Sequence, residues 1–262
     1  MIDYSFSIYD LEYFLLILVR VTGFIYIAPF FSQQGVPNRV KVGLGIFTAG
    51  LLYQTLAPAD AVIYNSTLEY ALIVIKETCT GLILGLGANM CMSVVQFAGT
   101  IADMETGLSM VTLFDPSSRQ QMSITGAIYN YAFIMTLIAT GMYRYLFGAL
   151  ADSFILIPVN GAIFNWDALV SSVVRFFTDY VLIGFRIILP IFCAMILLNA
   201  ILGIMAKVSP QMNMFAVGVQ LKVIIGLSIL FLSIGLLEKM TGLLFDEIQE
   251  LTASFVSAMG GQ

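Results

Sequence analysis

Long apolar runs alternate with short polar stretches along this chain. Six runs stand out, at residues 11–31, 42–64, 71–101, 126–147, 181–206 and 214–237. Each approaches or exceeds the roughly 20 residues a helix needs to cross a hydrocarbon core, so the pattern predicts an all-α membrane protein with about six hydrophobic segments. The third run is too long for one straight span and carries Lys76 and Glu77 near its start, which places those two at the interface or in a turn outside it. Residues 154–180 hold an apolar piece too short to span and broken by Pro158 and Gly161. They are expected to be re-entrant or extramembrane, with a short helix over about 167–178. In the closing stretch, 238–262, Met240, Leu244, Ile248, Leu251 and Phe255 recur at helical spacing while Asp246, Glu247 and Glu250 stay polar. That is an amphipathic helix, ended by Gly260 and Gly261; it either lies on its own bundle or docks a partner.

Breaks and notches inside the runs bear on packing. Pro29 and Pro190 sit within apolar runs and are expected to kink them, since each removes a backbone donor and crowds the preceding turn. Gly81 and Gly85 form a G-x-x-x-G pair, with Gly87 close by, that lets a neighbouring backbone approach. Arg20, Lys76, Glu77, Arg186 and Lys222 fall inside or at the edge of apolar runs. A charge at the centre of a lipid-exposed helix costs about 2.5–3.5 kcal/mol on insertion scales, so these residues should face protein, water or the interface. Arg20, Arg186 and Lys222 are thus candidates for lining a path or pairing at a subunit interface. Arg39, Lys41, Arg119 and Lys207 fall in loops of one side, while the N-terminus, 58–70 and 149–180 hold mainly acids. The positive-inside tendency puts the basic set in the cytoplasm and both termini opposite. The leading residues Asp3, Asp10 and Glu12 are the reverse of a signal peptide's basic start, so the first segment is expected to remain as an anchor.

Composition agrees on the solvent. Of 262 residues 60% are hydrophobic and 10% charged, with mean hydropathy +0.96, more apolar surface than a soluble domain of this size can hide. A net charge of −5 offers no basic face for nucleic acid. The chain has no His, which removes imidazole acid/base chemistry and ligation. Cys79, Cys91 and Cys193 lie in apolar runs without C-x-x-C spacing and read as small hydrophobes. The stretch GLILGLGAN lies inside a hydrophobic helix instead of following a strand, so it is no phosphate loop. No catalytic set, cofactor motif or metal-ligand spacing is visible, and enzyme is the weakest class.

One stretch departs from the pattern. DMETGLSMVTLFDPSSRQQM, residues 103–122, occupies the place of a short polar turn yet carries the apolar cluster Met110, Val111, Leu113 and Phe114. Gly107 gives it flexibility, and Asp115-Pro116 ends any helix.

This stretch, with PFFSQQGVPNRVKVGLGI at 29–46 and AILGIMAKVSPQMNMFAVGVQLKVIIGL at 200–227, resembles the FliR family of flagellar type III secretion export-gate membrane proteins, related to the SctT-type virulence export proteins. The last stretch is the most specific, with Lys207 and Ser209-Pro210-Gln211-Met212-Asn213 between two apolar helices. The resemblance covers nearly the whole chain and implies a non-enzymatic subunit present once in a gate with five FliP-like and four FliQ-like subunits. It implies kinked helical hairpins: a FliP-like part at 1–180, a FliQ-like helical hairpin at 181–237 and the amphipathic tail at 238–262. Lys207, Ser209, Pro210, Gln211 and Asn213 would form the hairpin's cytoplasmic turn. Residues 103–122 would be a plug in the pore, with Gly107, Met110, Val111, Leu113, Phe114, Asp115 and Pro116 as its sealing and hinging residues. Implied further are FlhB-like and FlhA-like export components, unfolded flagellar substrates, and a place in the bacterial inner membrane within the flagellar basal body. In such gates much of the helical mass rises out of the bilayer plane. The alternatives are a secondary transporter, although no matched broken-helix repeat is visible, the equivalent subunit of a virulence-type system, or a purely structural scaffold.

Overall fold

A computed structural model describes residues 8–33, 35–56, 64, 66–110, 123–211 and 213–260. Helices account for nearly all of them: α1 (Ile8–Ile27), α2 (Asn38–Leu56), α3 (Thr67–Thr106), α4 (Ile124–Ala139), α5 (Tyr143–Leu156), α6 (Trp166–Val208), α7 (Met214–Leu232), a 3-10 turn (Ser233–Leu236) and α8 (Leu237–Met259). The described residues contain no strand beyond a single parallel bridge between Ile163 and Gly260.

Several boundaries differ from the hydropathy reading, each for a local reason. α3 runs unbroken for 40 residues, so Lys76 and Glu77 lie within a helix instead of in a turn before it. The expected helix at 167–178 and the run at 181–206 are one 43-residue helix, α6. Its polar interval Thr178-Asp179-Tyr180 interrupts hydropathy but contains no helix breaker. Pro190 lies inside α6, where the buried Ile187, Ile188 and Ile191 on either side hold the helix through the missing hydrogen bond. Pro29 instead ends a helix. Ala28 still donates to Phe24 O at 2.8 Å, but the chain then turns, with Phe31 and Ser32 N–H both donating to Ala28 O at 3.0 Å, as expected where proline disfavours helical geometry in the residue before it. The fourth run is split into α4 and α5 at Gly141, whose φ of 73° lies in the left-handed region.

Among the described residues three helices, α3, α6 and residues Phe215–Leu232 of α7, are long and apolar enough to cross a membrane, and α4 with α5 would make a fourth if the pair is one broken span. α1 carries Asp10, Glu12 and Arg20, and α2 carries Arg39 and Lys41, which dilute the apolar character of these two helices.

The chain divides into two compact units. Unit 1 comprises residues 1–90, 142–176 and 247–262, and unit 2 comprises 91–141 and 177–246. In unit 1, α1 lies against the first part of α3 with its backbone almost touching. A Cβ at Gly81 would stand 2.1 Å from Arg20 O, and one at Gly85 would stand 2.8 Å from Phe24 O. Leu16, Ile17, Val21 and Phe24 of α1, Leu150 and Phe154 of α5, and Leu251 and Phe255 of α8 are buried in this unit. The tail's apolar stripe is thus withdrawn from solvent within the chain itself, while Asp246 and Glu250 stay exposed. Ile163 and Asn165 N–H groups donate to Met259 O at 2.9 Å and Ala258 O at 3.1 Å, pinning the helix end to the turn that precedes α6.

Unit 2 is built on Val94, Val95, Ala98 and Ala102 of α3, Tyr129 and Phe133 of α4, and Ile183, Ile187 and Ile191 of α6. Small residues again set the distances. A Cβ at Gly99 would lie 2.1 Å from Gly126 Cα, so α3 and α4 meet backbone to backbone. A Cβ at Gly184 would lie 2.6 Å from the Phe97 ring, and one at Gly226 would lie 2.4 Å from Thr106 Cγ2.

Candidate functional site

The apolar loop is rooted in unit 2 between the end of α3 and the start of α4. α3 ends at Thr106 and Gly107 follows with φ 81°, a conformation glycine adopts without a Cβ penalty. Met110 N–H donates to Gly107 O at 3.1 Å, and the Met110 side chain is 39% exposed. Val111, Leu113, Phe114, Asp115 and Pro116 lie outside the described residues. On the far side Ser123 caps α4, its hydroxyl accepting from Gly126 N–H at 2.8 Å. The two sides are joined by Asp103. Its carboxylate, only 5% exposed, accepts from Thr125 N–H at 3.2 Å and from Thr125 Oγ1 at 2.5 Å. Because Asp103 and Thr125 are tied and Gly99 meets Gly126, both ends of the loop are fixed to one wall. The quoted stretch contains Asp103, but its partner lies 22 residues on, and no periodicity reveals such a pairing.

A second polar centre lies inside unit 1. Arg20 on α1 and Glu77 on α3 are fully buried and paired, Nε donating to Oε2 at 2.6 Å. Arg20 Nη1 donates to two carbonyls near the end of α5, Ser153 O at 3.2 Å and Ile157 O at 2.9 Å, where the helix dipole favours a cation. The guanidinium carbon stands 4.2 Å above the centre of the Phe154 ring, a cation–π contact. Glu77 Oε1 accepts the N–H of Asn160 at 2.9 Å, and Asn160 takes φ 68° in the Pro158–Gly161 turn, a conformation Asn tolerates better than most. One charge pair thereby ties α1, α3, α5 and the turn before α6. Burial is affordable for two ions only when they are paired and hydrogen-bonded, and here one nitrogen, Arg20 Nη2, has no partner among the described residues. Arg20 therefore faces the interior of its unit.

The family model described as bacterial export proteins, family 1, matches residues 11–248. The chain belongs to this family of export proteins. It is similar to the flagellar biosynthetic protein FliR of Escherichia coli K12, 27% identical over 243 residues that cover 92% of each chain. It is also similar to FliR of Bacillus subtilis 168, 29% identical over 220 residues covering 83% of this chain and 84% of that one, and to FliR of Aquifex aeolicus VF5, 29% identical over 226 residues and 85% of each.

The remaining charges of this export protein are placed differently from Arg20. Arg186 is exposed on α6 and Lys222 is half-buried on α7, and neither has an ion pair among the described residues. The turn between α6 and α7 is open: Lys207, Pro210, Gln211 and Asn213 are exposed and Ser209 is half-buried. Ser209 N–H donates to Met205 O at 2.9 Å to close α6, and the Asn213 side chain caps α7 by accepting from Ala216 N–H at 3.3 Å. The helices on either side are largely uncovered. In their most apolar windows 28% of α6 and 11% of α7 is buried, against 44% for α3. Such apolar surface belongs in lipid or against other subunits.

Proposed function

We propose that this protein is a subunit of the flagellar type III export gate in the bacterial inner membrane, part of the flagellar basal body, and that residues 103–122 plug the channel through which unfolded flagellar proteins cross. Likeness over 92% of the chain to a relative named flagellar biosynthetic protein FliR carries the export assignment. The plug reading is supported by the loop's root: both ends are clamped by Asp103, Thr125 and the Gly99–Gly126 contact, and the described part of the loop already presents Met110. An adaptable thioether suits a seal that must reform after each passage. On this reading the protein assembles with FliP-like and FliQ-like subunits at 5:4:1 and meets FlhB-like and FlhA-like components. Residues 1–180 are FliP-like and the 181–237 hairpin is FliQ-like, with Lys207, Ser209, Pro210, Gln211 and Asn213 in the cytoplasm and both termini on the periplasmic side.

Native mass spectrometry of the complex purified in mild detergent tests the assignment. The expected result is one copy of this chain with several copies each of a FliP-like and a FliQ-like partner. A stable homodimer that leaves no room for them overturns it. Cysteines placed beside Asn38 and Ser209 should be protected from an impermeant reagent in intact cells while one beside Asp60 is labelled, and equal labelling refutes the orientation.

A further inference from the structure

A half-open cleft of about 280 Å3 lies between α5 and the end of α8 within unit 1, lined by Tyr145, Asp152 and Leu156 on one side and Thr252, Val256 and Ser257 on the other. Thr252 is only 2% exposed, and its hydroxyl has no hydrogen-bond partner among the described residues. This departs from the habit of the chain. Thr22, Thr78, Thr80, Thr106 and Thr136 each donate to the carbonyl four residues earlier in their helices. A buried hydroxyl left unpaired is costly, so a group that enters the cleft and bonds to it is favoured. Asp152 is exposed in the lining, and among the described residues no Lys or Arg lines the cleft with it. Beside the cleft, Ile155 is 71% exposed, and Ile163, bridged to the lining residue Gly260, is 66% exposed.

We infer that this cleft is a socket for one Lys or Arg side chain carried on a helix of a neighbouring gate subunit, an inference that rests on reading the protein as a gate component. The volume falls just below the roughly 300–1,000 Å3 of sites built for whole small ligands and suits a single long side chain. The incoming cation pairs with Asp152, an N–H donates to Thr252 Oγ1, and the alkyl stem lies on Leu156 and Val256 as such stems do on apolar surface. Ile155 and Ile163 form an apolar rim that excludes water around the buried pair, the arrangement found around interface hot spots. A phospholipid amine fits less well, because its phosphate would follow it towards a carboxylate with no cation beside it.

The test uses the complete gate in cells. A photo-crosslinking amino acid in place of Ala253, which is exposed in the lining, should form an adduct with a peptide of another gate subunit that contains a Lys or Arg. Asp152→Lys should cut that adduct at least fivefold, and Glu in place of the captured base should restore it. Thr252→Val keeps the volume and removes the hydroxyl. It should lower the adduct two- to threefold while leaving the melting temperature of the purified chain unchanged or higher, so it serves if Asp152→Lys impairs folding. An adduct with phospholipid, no adduct, or an adduct indifferent to both substitutions overturns the socket. Wild-type chain that purifies without gate partners overturns the gate reading instead, while the in-cell adduct still reports what fills the cleft.

Discussion

Units 1 and 2 solve the same problem, holding a long helix against its neighbours, with different chemistry. Unit 1 adds a fully buried ion pair to its glycine contacts, and that pair collects three helices and a turn around Arg20 and Glu77. Unit 2 has no ion pair among its described residues. It relies on the backbone contact of Gly99 with Gly126 and on a carboxylate bonded to one threonine. An ion pair fails sharply when one member is lost, because the survivor is left charged in an apolar interior. A carboxylate–hydroxyl clasp at a loop root loses less when a partner is removed. The unit bearing the apolar loop is therefore held by the softer device.

The largest effect expected from this contrast is at Glu77. Glu77→Ala strands the Arg20 charge and should cost about 3–5 kcal/mol, seen as loss of monodisperse protein in mild detergent. Arg20→Met with Glu77→Leu together should recover most of it, since replacing a buried pair by apolar groups is often neutral or stabilising. If the double variant is as damaged as the single, the pair is not the source of the cost. Next comes the backbone contact of unit 2. Gly99→Ala puts a Cβ against Gly126 Cα, which no rotamer relieves, and overpacking of this kind costs about 1–3 kcal/mol or more. Gly99→Ala should therefore melt at a lower temperature than Gly242→Ala, where a Cβ meets nothing within 4 Å. Thr125→Val removes one bond to Asp103 and should cost about 1–3 kcal/mol, with protease sensitivity rising first in the 107–122 loop. The smallest effect is at the surface. Arg175 donates to Glu250 but both are more than half exposed, so Arg175→Ala should change stability by no more than about 1 kcal/mol. A loss equal to that of Glu77→Ala would show that burial does not separate the two pairs.

How much of this was readable in the sequence depended on the range of the interaction. The all-helical class and the apolar stripe of α8 follow from spacing within one element, where Leu244, Ile248, Leu251 and Phe255 recur on one face. Gly81 and Gly85 were visible as a notch, though not what fills it. The union of 167–178 with 181–206 was hidden because hydropathy measures lipid preference and falls at Asp179, while helix continuity depends on breakers, which are missing there. Arg20 and Glu77 each looked like a misplaced charge, and only the fold, bringing together residues 57 apart, makes them one neutral pair. Asp103 gives no signal beside the apolar cluster for the same reason, since its partner Thr125 lies 22 residues on. Family resemblance supplied what local pattern could not, the export role and the proposed plug.

The central proposal is that residues 103–122 seal a channel. Four apolar side chains, Met110, Val111, Leu113 and Phe114, withdrawn from water would contribute about 1.5–3 kcal/mol each at most. Together they match the roughly 5.5 kcal/mol that moves a two-state gate from 99:1 closed to 1:99. The direct measurement is ion conductance, or lysis in an osmotically active solute, of cells producing the complete gate with those four residues replaced by Ser. Assembly is confirmed in parallel by native mass spectrometry. A gate that assembles at wild-type level and leaks is the predicted result; one that assembles at that level and stays as tight as wild type contradicts the plug.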